Sequence, residues 1–181
     1  VEFVRYDLLP VQHPEFFVTG AAQGFAQWLE TIAHADAVIS ISQSTRDAFR
    51  FWLHLNKPEC HPTLDWFHLG ADVEQSVPSC GFPDNADSIM SGIKERTSFL
   101  MVGTLEPRKG HAQVLDAFDE LWQMGHPLNL VIVGKQGWLT ESLVERLNQH
   151  PQNGTRLFWL QGVSDEMLAW LYQHSAAMIA A

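Results

Sequence analysis

Two adjacent cations follow a buried-strand pattern in the segment 99–110, FLMVGTLEPRKG. The apolar run predicts a strand that ends at Gly103, where the absence of a side chain lets a ligand approach the backbone. Arg108 and Lys109 then stand at the start of the next predicted helix. Two cations and free N–H groups at a helix N-terminus can bind phosphate or pyrophosphate. We interpret the loop as a candidate anion site, and the alternative of a merely solvated Arg-Lys pair stays open.

Two further loops follow strand patterns later in the chain. Gly134 and Lys135 come directly after the run LVIV, and Gly162 and Val163 follow the run LFWLQ. Three successive loops at one sheet edge, two of them with cations, favour a nucleotide ligand over an isolated anion. The GxxxxGK[ST] spacing of a P-loop and the GxGxxG spacing of a dinucleotide site are both absent.

The elements that must position these loops alternate along the chain. Helical stripes separate short apolar runs, as in 111–124, where Val114, Leu115, Phe118 and Trp122 share one face. Nearly all-apolar strands between helices are typical of a parallel sheet covered on both faces, so we predict an α/β fold. The predicted strands are 1–8, 37–41, 64–69, 98–102, 128–133, 155–160 and 176–180.

Chain length and net charge limit the possible number of domains and the possible functions. The 181 residues allow one domain or two small ones, and the least patterned stretch, 71–87, is interpreted as a linker. The net charge of −10 argues against a nucleic-acid binder, and the first 93 residues carry most of it. Both ends of the chain lie inside strand-like patterns, so we expect an excerpt of a longer polypeptide that is marginally stable or associates when isolated.

Cysteine and histidine usage predicts neither a disulfide scaffold nor a metal site. The two cysteines, Cys60 and Cys80, indicate a reducing compartment and a cytoplasmic location. Nine histidines are present, but no HExxH or paired CxxC pattern accompanies them, and Cys60, His61 and Cys80 lack ligand spacing. No apolar run reaches the roughly 18–20 residues that cross a bilayer.

The loops resemble those of one known family. The segment 102–110, VGTLEPRKG, is similar to the phosphate-binding loop of glycosyltransferase family 4, the group 1 glycosyltransferases. Many members have an arginine where this chain has Thr104, and Arg108 would then take its role. The other segments that resemble the family, in order, are LVIVGKQGW (130–138), RLFWLQGVSDEMLAWLYQHSAAMIAA (156–181), YDLLPVQHPEFF (6–17), ADAVISISQSTRDAF (35–49) and HLGAD (68–72).

The resemblance implies a GT-B fold, in which two Rossmann-like α/β domains with parallel sheets face each other. Residues 1–70 would be the C-terminal part of the N-terminal, acceptor-side domain, and 71–96 the interdomain linker. Residues 97–181 would begin the C-terminal domain, which binds the nucleotide sugar. The chain would therefore hold two partial domains and no complete active site.

The implied function is retaining transfer of a hexose, such as mannose, from a nucleoside-diphosphate sugar to a glycan or lipid-linked acceptor in polysaccharide biosynthesis. No cofactor and no metal would be required. The location would be the cytoplasm, at the inner face of the membrane, with peripheral membrane contact through regions outside this chain. Two other functions remain: a noncatalytic Rossmann-like interaction module, and a nucleotide-sugar epimerase, which the missing GxGxxG disfavours.

The resemblance also implies roles for single residues. The donor diphosphate would bind at Gly103, Thr104, Arg108 and Lys109. The donor nucleotide would bind at Gly134, Lys135, Gly162 and Val163, with the nucleobase near the last two. No catalytic residue is assigned, because Tyr6 stands before Asp7 where the family often has a histidine.

Overall fold

The computed structural model describes residues 2–70, 81–82 and 86–180. The chain divides into two compact units, Val1–Gln75 and Ser76–Ala181. Each unit contains its own parallel sheet and its own hydrophobic core.

The first unit is a three-stranded parallel sheet in the order β1-β2-β3, with its helices in the connections. A short 3-10 turn, Pro14–Phe16, follows the first helix. The elements are β1 (Glu2–Arg5), α1 (Leu9–Gln12), α2 (Ala21–Ala33), β2 (Ala37–Ser40), α3 (Gln43–Asn56) and β3 (Thr63–Trp66).

The core of this unit forms where α2 and α3 pack against the central strand. Val38 of β2 contacts a cluster that includes Leu29 and Ile32 of α2 and Phe49 of α3, all fully buried. The side chain of Ser42 accepts a hydrogen bond from the backbone N–H of Thr45 at 3.1 Å, which satisfies one of the free N–H groups where α3 begins.

The second unit is a four-stranded parallel sheet in the order β6-β5-β4-β7. A 3-10 turn, Pro107–Lys109, precedes α5. The elements are α4 (Ala86–Lys94), β4 (Thr97–Val102), α5 (His111–Gln123), β5 (Leu128–Val133), α6 (Glu141–Gln149), β6 (Leu157–Leu160), α7 (Asp165–His174) and β7 (Ala177–Met178).

Helices cover both faces of this sheet, as the apolar strands predicted. On β5, Leu130 and Ile132 pack into one core with the buried faces of α5 and α6. Val131 and Val133 pack into the other core with α4 and α7. Because successive side chains of a strand point to opposite faces, a strand buried on both sides must be apolar throughout.

All seven predicted strands are present and every strand pairing is parallel, so the α/β fold class is confirmed. The outermost strands are shorter than predicted: 1–8 becomes Glu2–Arg5, and 176–180 becomes Ala177–Met178. Part of the range 71–96, predicted as linker, is helix α4, and its Ala86 and Ile93 are buried against the second sheet. Residues 71–80 and 83–85 of that range lie outside the described residues.

Candidate functional site

The three predicted ligand loops meet at one edge of the second sheet. Val102 pairs in register with Val133, and Val133 pairs with Leu160, so β4, β5 and β6 all end at the same level. The loops that follow them therefore lie side by side at the carboxyl edge of the sheet. This is the edge where open parallel sheets bind ligands.

Backbone contacts join the first two loops. The N–H of Gly103 donates to the carbonyl of Val133 at 2.8 Å, and the N–H of Leu105 donates to that of Lys135 at 2.9 Å. A Cβ atom at Gly134 would overlap the carbonyl of Gly103, and one at Gly137 would overlap the carbonyl of Leu105. The glycine at 134, predicted as a nucleotide contact, therefore has a packing role that needs no ligand.

The two adjacent cations differ in their partners. Nε of Arg108 lies 2.8 Å from Oε2 of Glu106, a carboxylate that is 8% exposed, whereas 35% of the arginine side chain is exposed. Within the described ranges, no carboxylate pairs with Lys109. The ammonium group of Lys109 instead lies over Gly103, only 2.5 Å from where a Cβ atom at 103 would be. The lysine charge is thus held beside the end of β4 with no counter-ion among the residues that the structure describes.

Both cations border a cleft of about 260 Å³ beyond the ends of β4 and β7. Gly110, in the left-handed region with φ of 63°, joins the 3-10 turn to α5 and places the N-terminus of that helix beside them. Cations and a helix N-terminus together are an anion-binding arrangement. The cleft is lined by Met101, Val102, Arg108, Lys109, His111, Met178, Ile179 and Ala180.

His111, the first residue of α5, belongs to this cleft although the sequence analysis did not select it. Its side chain is almost fully buried, and Nδ1 has no hydrogen-bond partner among the described residues. Burial, and secondarily the charge of Lys109, lowers the pKa of the His111 imidazole, which the negative charge of Glu106 only partly opposes.

A sequence signal for His111 did exist. The residue extends the apolar stripe of α5 by one turn towards its N-terminus, three positions before Val114. A histidine on the buried face of a helix, next to two cations in the sequence, is a polar group in a core position and therefore requires an explanation.

The third loop borders a separate recess of about 220 Å³ at the end of β6. Gly162 adopts φ of 64°, and Ser164 caps α7 by accepting from the N–H of Met167 at 3.2 Å. Ile89 and Trp159 supply apolar walls beside Gly162 and Val163. Leu160 and Met167 also line this recess, so most of its side chains are apolar.

The structure therefore separates the predicted site residues into groups. Arg108 and Lys109 share one cleft, and Gly162 and Val163 share another. The side chain of Lys135 is exposed, and neither it nor Thr104 lines either cavity. Gly103 contributes to the first cleft through its contact with Lys109. The nucleotide-binding roles assigned to these residues stay predictions.

Near the end of β1, a buried arginine lies among aromatic rings. The Arg5 guanidinium is 4.6 Å from the centre of the Phe49 ring and donates to the carbonyl of Asp7 at 2.9 Å. Burial lowers the pKa of Arg5 to about 10, against the opposing charge of Asp7. The Asp7 carboxylate accepts from the N–H of Leu9 at 3.1 Å, and Tyr6 is exposed. Asp7 therefore stabilises the first turn of α1.

The part of the chain that the structure describes contains no group of three or more histidine, cysteine or acidic side chains able to hold a metal ion. Cys60 is near His34, with Sγ and Nδ1 3.5 Å apart, and Cys80 lies outside the described residues. A search of the described residues also finds no helix with the length and apolar character to cross a membrane.

The parallel α/β sheet, with two cations beyond the end of β4, agrees with the architecture that the resemblance implied. The family described as glycosyl transferases group 1 matches residues 86–181, more than half of the sequence. The chain belongs to this family, as its loops indicated. The trehalose 6-phosphate synthase of Burkholderia multivorans has a similar fold: the TM-score is 0.63 at 12% identity, over 89% of this chain and 42% of that chain.

Curated proteins of higher sequence identity give a second comparison. Two sequences of the serotype-specific mannosyltransferase WbdA of Escherichia coli are 50% identical to this chain over 182 residues, and a third is 49% identical. Each alignment covers 98% of this chain and 22% of the relative. The chain therefore spans about a fifth of the length of the curated relatives it matches.

Proposed function

We propose that this chain carries the donor diphosphate site of a mannosyltransferase. The parent enzyme would transfer mannose from a nucleoside-diphosphate sugar to a glycan or lipid-linked acceptor during polysaccharide biosynthesis. The observation that carries the proposal is the cleft beyond β4, where Lys109, without a protein counter-ion in the described ranges, and Arg108 meet the N-terminus of α5. The high identity to the WbdA mannosyltransferases supports mannose as the sugar.

The chemistry of transfer explains why cations are needed there. When the bond between the sugar and the diphosphate breaks, negative charge accumulates on the leaving phosphate. Lys109 and Arg108 are positioned to stabilise this charge, and the 13-residue helix α5 adds the partial positive charge of its N-terminus. The ion pair between Nε of Arg108 and Glu106, 2.8 Å apart, keeps the arginine side chain beside the cleft that it lines.

The remaining features of the proposal follow from the family resemblance and from the sequence. Residues 1–70 would belong to the acceptor-side domain and 97–181 to the donor-binding domain. The nucleobase would occupy the recess at Gly162 and Val163, whose apolar walls suit a flat ring. Transfer would retain the anomeric configuration without a metal or cofactor. The cytoplasmic location, at the inner membrane face, rests on cysteine usage and on the class of acceptor.

Calorimetric titration of the full-length polypeptide with GDP, UDP and ADP tests the proposal. Lys109→Ala removes a charge-assisted contact to phosphate, so we expect about a 10- to 100-fold loss of affinity. Arg108→Ala should give a similar loss. Arg96→Ala is the matched control, because Arg96 precedes the same strand at its opposite end and pairs with Glu95 at 3.1 Å.

The control should bind the nucleotide as the unsubstituted protein does. If the Lys109 and Arg108 variants also bind with unchanged affinity, the phosphates bind elsewhere and the site assignment is wrong. Failure of the unsubstituted full-length protein to bind any of the three nucleotides would favour the noncatalytic interaction module instead.

A further inference from the structure

Glu106 places a negative charge at a site that is proposed to bind an anion. Its side chain is 8% exposed, and Oε2 lies 2.8 Å from Nε of Arg108, which lines the cleft beyond β4. The backbone carbonyl of Glu106 accepts a hydrogen bond from the N–H of Lys109 at 3.0 Å. Glu106 is therefore tied to both of the cationic residues that the proposed function assigns to the diphosphate.

Stability alone does not explain this buried carboxylate. Removing a charged group from water is costly, and hydrogen bonds normally offset the cost. Oε2 of Glu106 has no hydrogen bond in residues 2–70, 81–82 and 86–180, so its contact with Arg108 is an ion pair without hydrogen-bond geometry. Replacing a buried ion pair by well-packed apolar side chains often leaves stability unchanged or raises it. A buried charge that the fold does not require points to a role in binding.

Glu106 changes the net charge that a ligand meets in the cleft. Arg108 and Lys109 carry two positive charges, and the carboxylate of Glu106 compensates that of Arg108. The terminal phosphate of a nucleoside diphosphate carries about 1.5–2 negative charges near neutral pH. In the nucleotide sugar that phosphate carries about one, because the sugar occupies an ionisable oxygen. Repulsion by Glu106 therefore acts more strongly on the free nucleoside diphosphate than on the nucleotide sugar.

We propose that Glu106 weakens the binding of the nucleoside diphosphate that the transfer releases, and that it weakens the binding of the sugar donor less. The inference rests on the proposed donor site and adds to it a means of exchanging product for donor. The repulsion shortens the time for which the product occupies the cleft, and the next nucleotide sugar then competes with it at lower concentration.

Coulomb's law gives the size of the effect. A phosphate oxygen bound to a terminal nitrogen of Arg108, across the guanidinium from Glu106, would lie roughly 7–8 Å from the carboxylate. At that distance and an effective dielectric constant of about 20–40, one unit charge changes the affinity for another by about 5- to 50-fold. Screening by water is limited, because the Glu106 side chain is only 8% exposed.

Calorimetry on the full-length polypeptide compares two ligands: the tightest-binding of GDP, UDP and ADP, and its hexose ester, which is GDP-mannose, UDP-glucose or ADP-glucose. Glu106→Gln removes the charge but keeps the shape and an acceptor for Nε of Arg108. Glu106→Met is a second uncharged variant, and Glu106→Asp keeps the charge. Glu95→Gln is the matched control, because Glu95 pairs with Arg96 before the opposite end of β4 and is 61% exposed.

We expect Glu106→Gln to bind the nucleoside diphosphate about 5- to 50-fold more tightly and to show a smaller gain for the nucleotide sugar. Glu106→Met should gain less, because it no longer holds Arg108. Glu106→Asp and Glu95→Gln should gain no affinity for either ligand. A thermal transition should confirm that each variant is folded, because Arg108 is 35% exposed and water can solvate its charge once the partner is gone.

Unchanged or weaker binding of the nucleoside diphosphate to both uncharged variants would overturn the inference, because Glu106 would then act only as a support for Arg108. A gain for the nucleotide sugar equal to or larger than that for the nucleoside diphosphate would also overturn it. Lys109→Ala keeps the two proposals separate. If that variant loses affinity, the diphosphate binds in the cleft whatever the Glu106 variants show, whereas an unsubstituted protein that binds neither ligand contradicts the proposed function itself.

Discussion

Gly134→Ala should disrupt the junction between the two ligand loops. A Cβ atom at 134 would overlap the Gly103 carbonyl oxygen and lie 2.7 Å from its carbon, whereas ordinary contact begins near 3.4 Å. Relieving the carbon contact alone requires the two backbone segments to separate by roughly 0.7 Å, the overlapping oxygen requires more, and no side-chain rotation can relieve either contact. The hydrogen bond from Gly103 to Val133, now 2.8 Å long, would stretch to the limit of hydrogen bonding.

The expected cost combines two effects. Overpacking typically costs about 1–3 kcal/mol, and a weakened hydrogen bond costs about 0.5–1.5 kcal/mol. We therefore expect Gly134→Ala to lower the free energy of unfolding of the second unit by about 2–4 kcal/mol. Nucleoside-diphosphate affinity should fall as well, because Lys109 lies over Gly103 in the displaced loop.

Hydrogen exchange of the full-length protein measures this effect locally. The indole N–H of Trp159 donates to the carbonyl of Gly134 at 3.0 Å and reports directly on the junction. Gly24→Ala is the control: Gly24 lies in helix α2 with no atom within 4 Å of the added Cβ. Alanine should stabilise that helix by about 0.5–1 kcal/mol. Unchanged Trp159 exchange in Gly134→Ala would refute the close-approach argument.

Three further perturbations test other contacts. Ser164→Ala removes the side chain that caps α7 and should lower the stability of this helix by about 0.5–2 kcal/mol. Amide exchange should become faster only in the first turn of α7, and unchanged exchange there would contradict the prediction. Arg146→Ala breaks two ion pairs between the Arg146 side chain, which is 35% exposed, and α5, with distances of 2.6 and 2.7 Å. Denaturation should show that the free energy of unfolding falls by less than about 1 kcal/mol, and by less still in high salt. Nucleotide affinity should not change. Because the pKa of His111 is lowered in the folded chain, the unfolded chain binds a proton at this residue at higher pH than the folded chain does, so the free energy of unfolding should decrease as the pH falls below 6.5. Denaturation between pH 5 and 7 should show a smaller decrease for His111→Asn. An identical pH dependence of the two proteins would refute this prediction.

Strands in this chain are predictable because burial on both faces leaves only apolar residues. β5, LNLVIV, has a single polar residue, Asn129, and its side-chain amide donates to the carbonyl of Gly92 at 3.1 Å. Strand β7 was predicted too long because the apolar sequence continues beyond the residues that find a strand partner, whereas β1 ends before Asp7, whose side chain stabilises the first turn of α1. Their ends depend on tertiary pairing, which local pattern does not encode.

Helix α4 was assigned to the linker because its pattern is short and follows a stretch rich in proline and glycine. Ile89, Met90 and Ile93 lie on one face of α4, but the helix has only 9 residues, so its apolar pattern is too short to stand out in the sequence. The helix gains its stability from packing against the second sheet, where Ala86 and Ile93 are buried. Short helices require such tertiary contacts, so propensity alone does not define them.

The residues of the cleft beyond β4 were predictable to different degrees. Arg108 and Lys109 were found because two cations after a strand are visible in the sequence. Thr104 and Lys135 were assigned by resemblance, yet neither lines the cleft at β4 or the recess at β6. His111 was missed because its significance depends on burial and on an unpartnered nitrogen. The helical stripe indicates the buried position of His111, but the lack of a partner for its nitrogen is visible only in the folded chain.

A crystal structure of the full-length polypeptide with a bound nucleoside-diphosphate sugar tests the central claim most directly. The proposed function predicts that the diphosphate lies in the cleft beyond β4, with phosphate oxygens about 2.7–2.9 Å from Nζ of Lys109 and from the guanidinium of Arg108. The sugar should lie on the β7 side. A diphosphate bound outside this cleft, beyond hydrogen-bond distance of both cations, would contradict the claim.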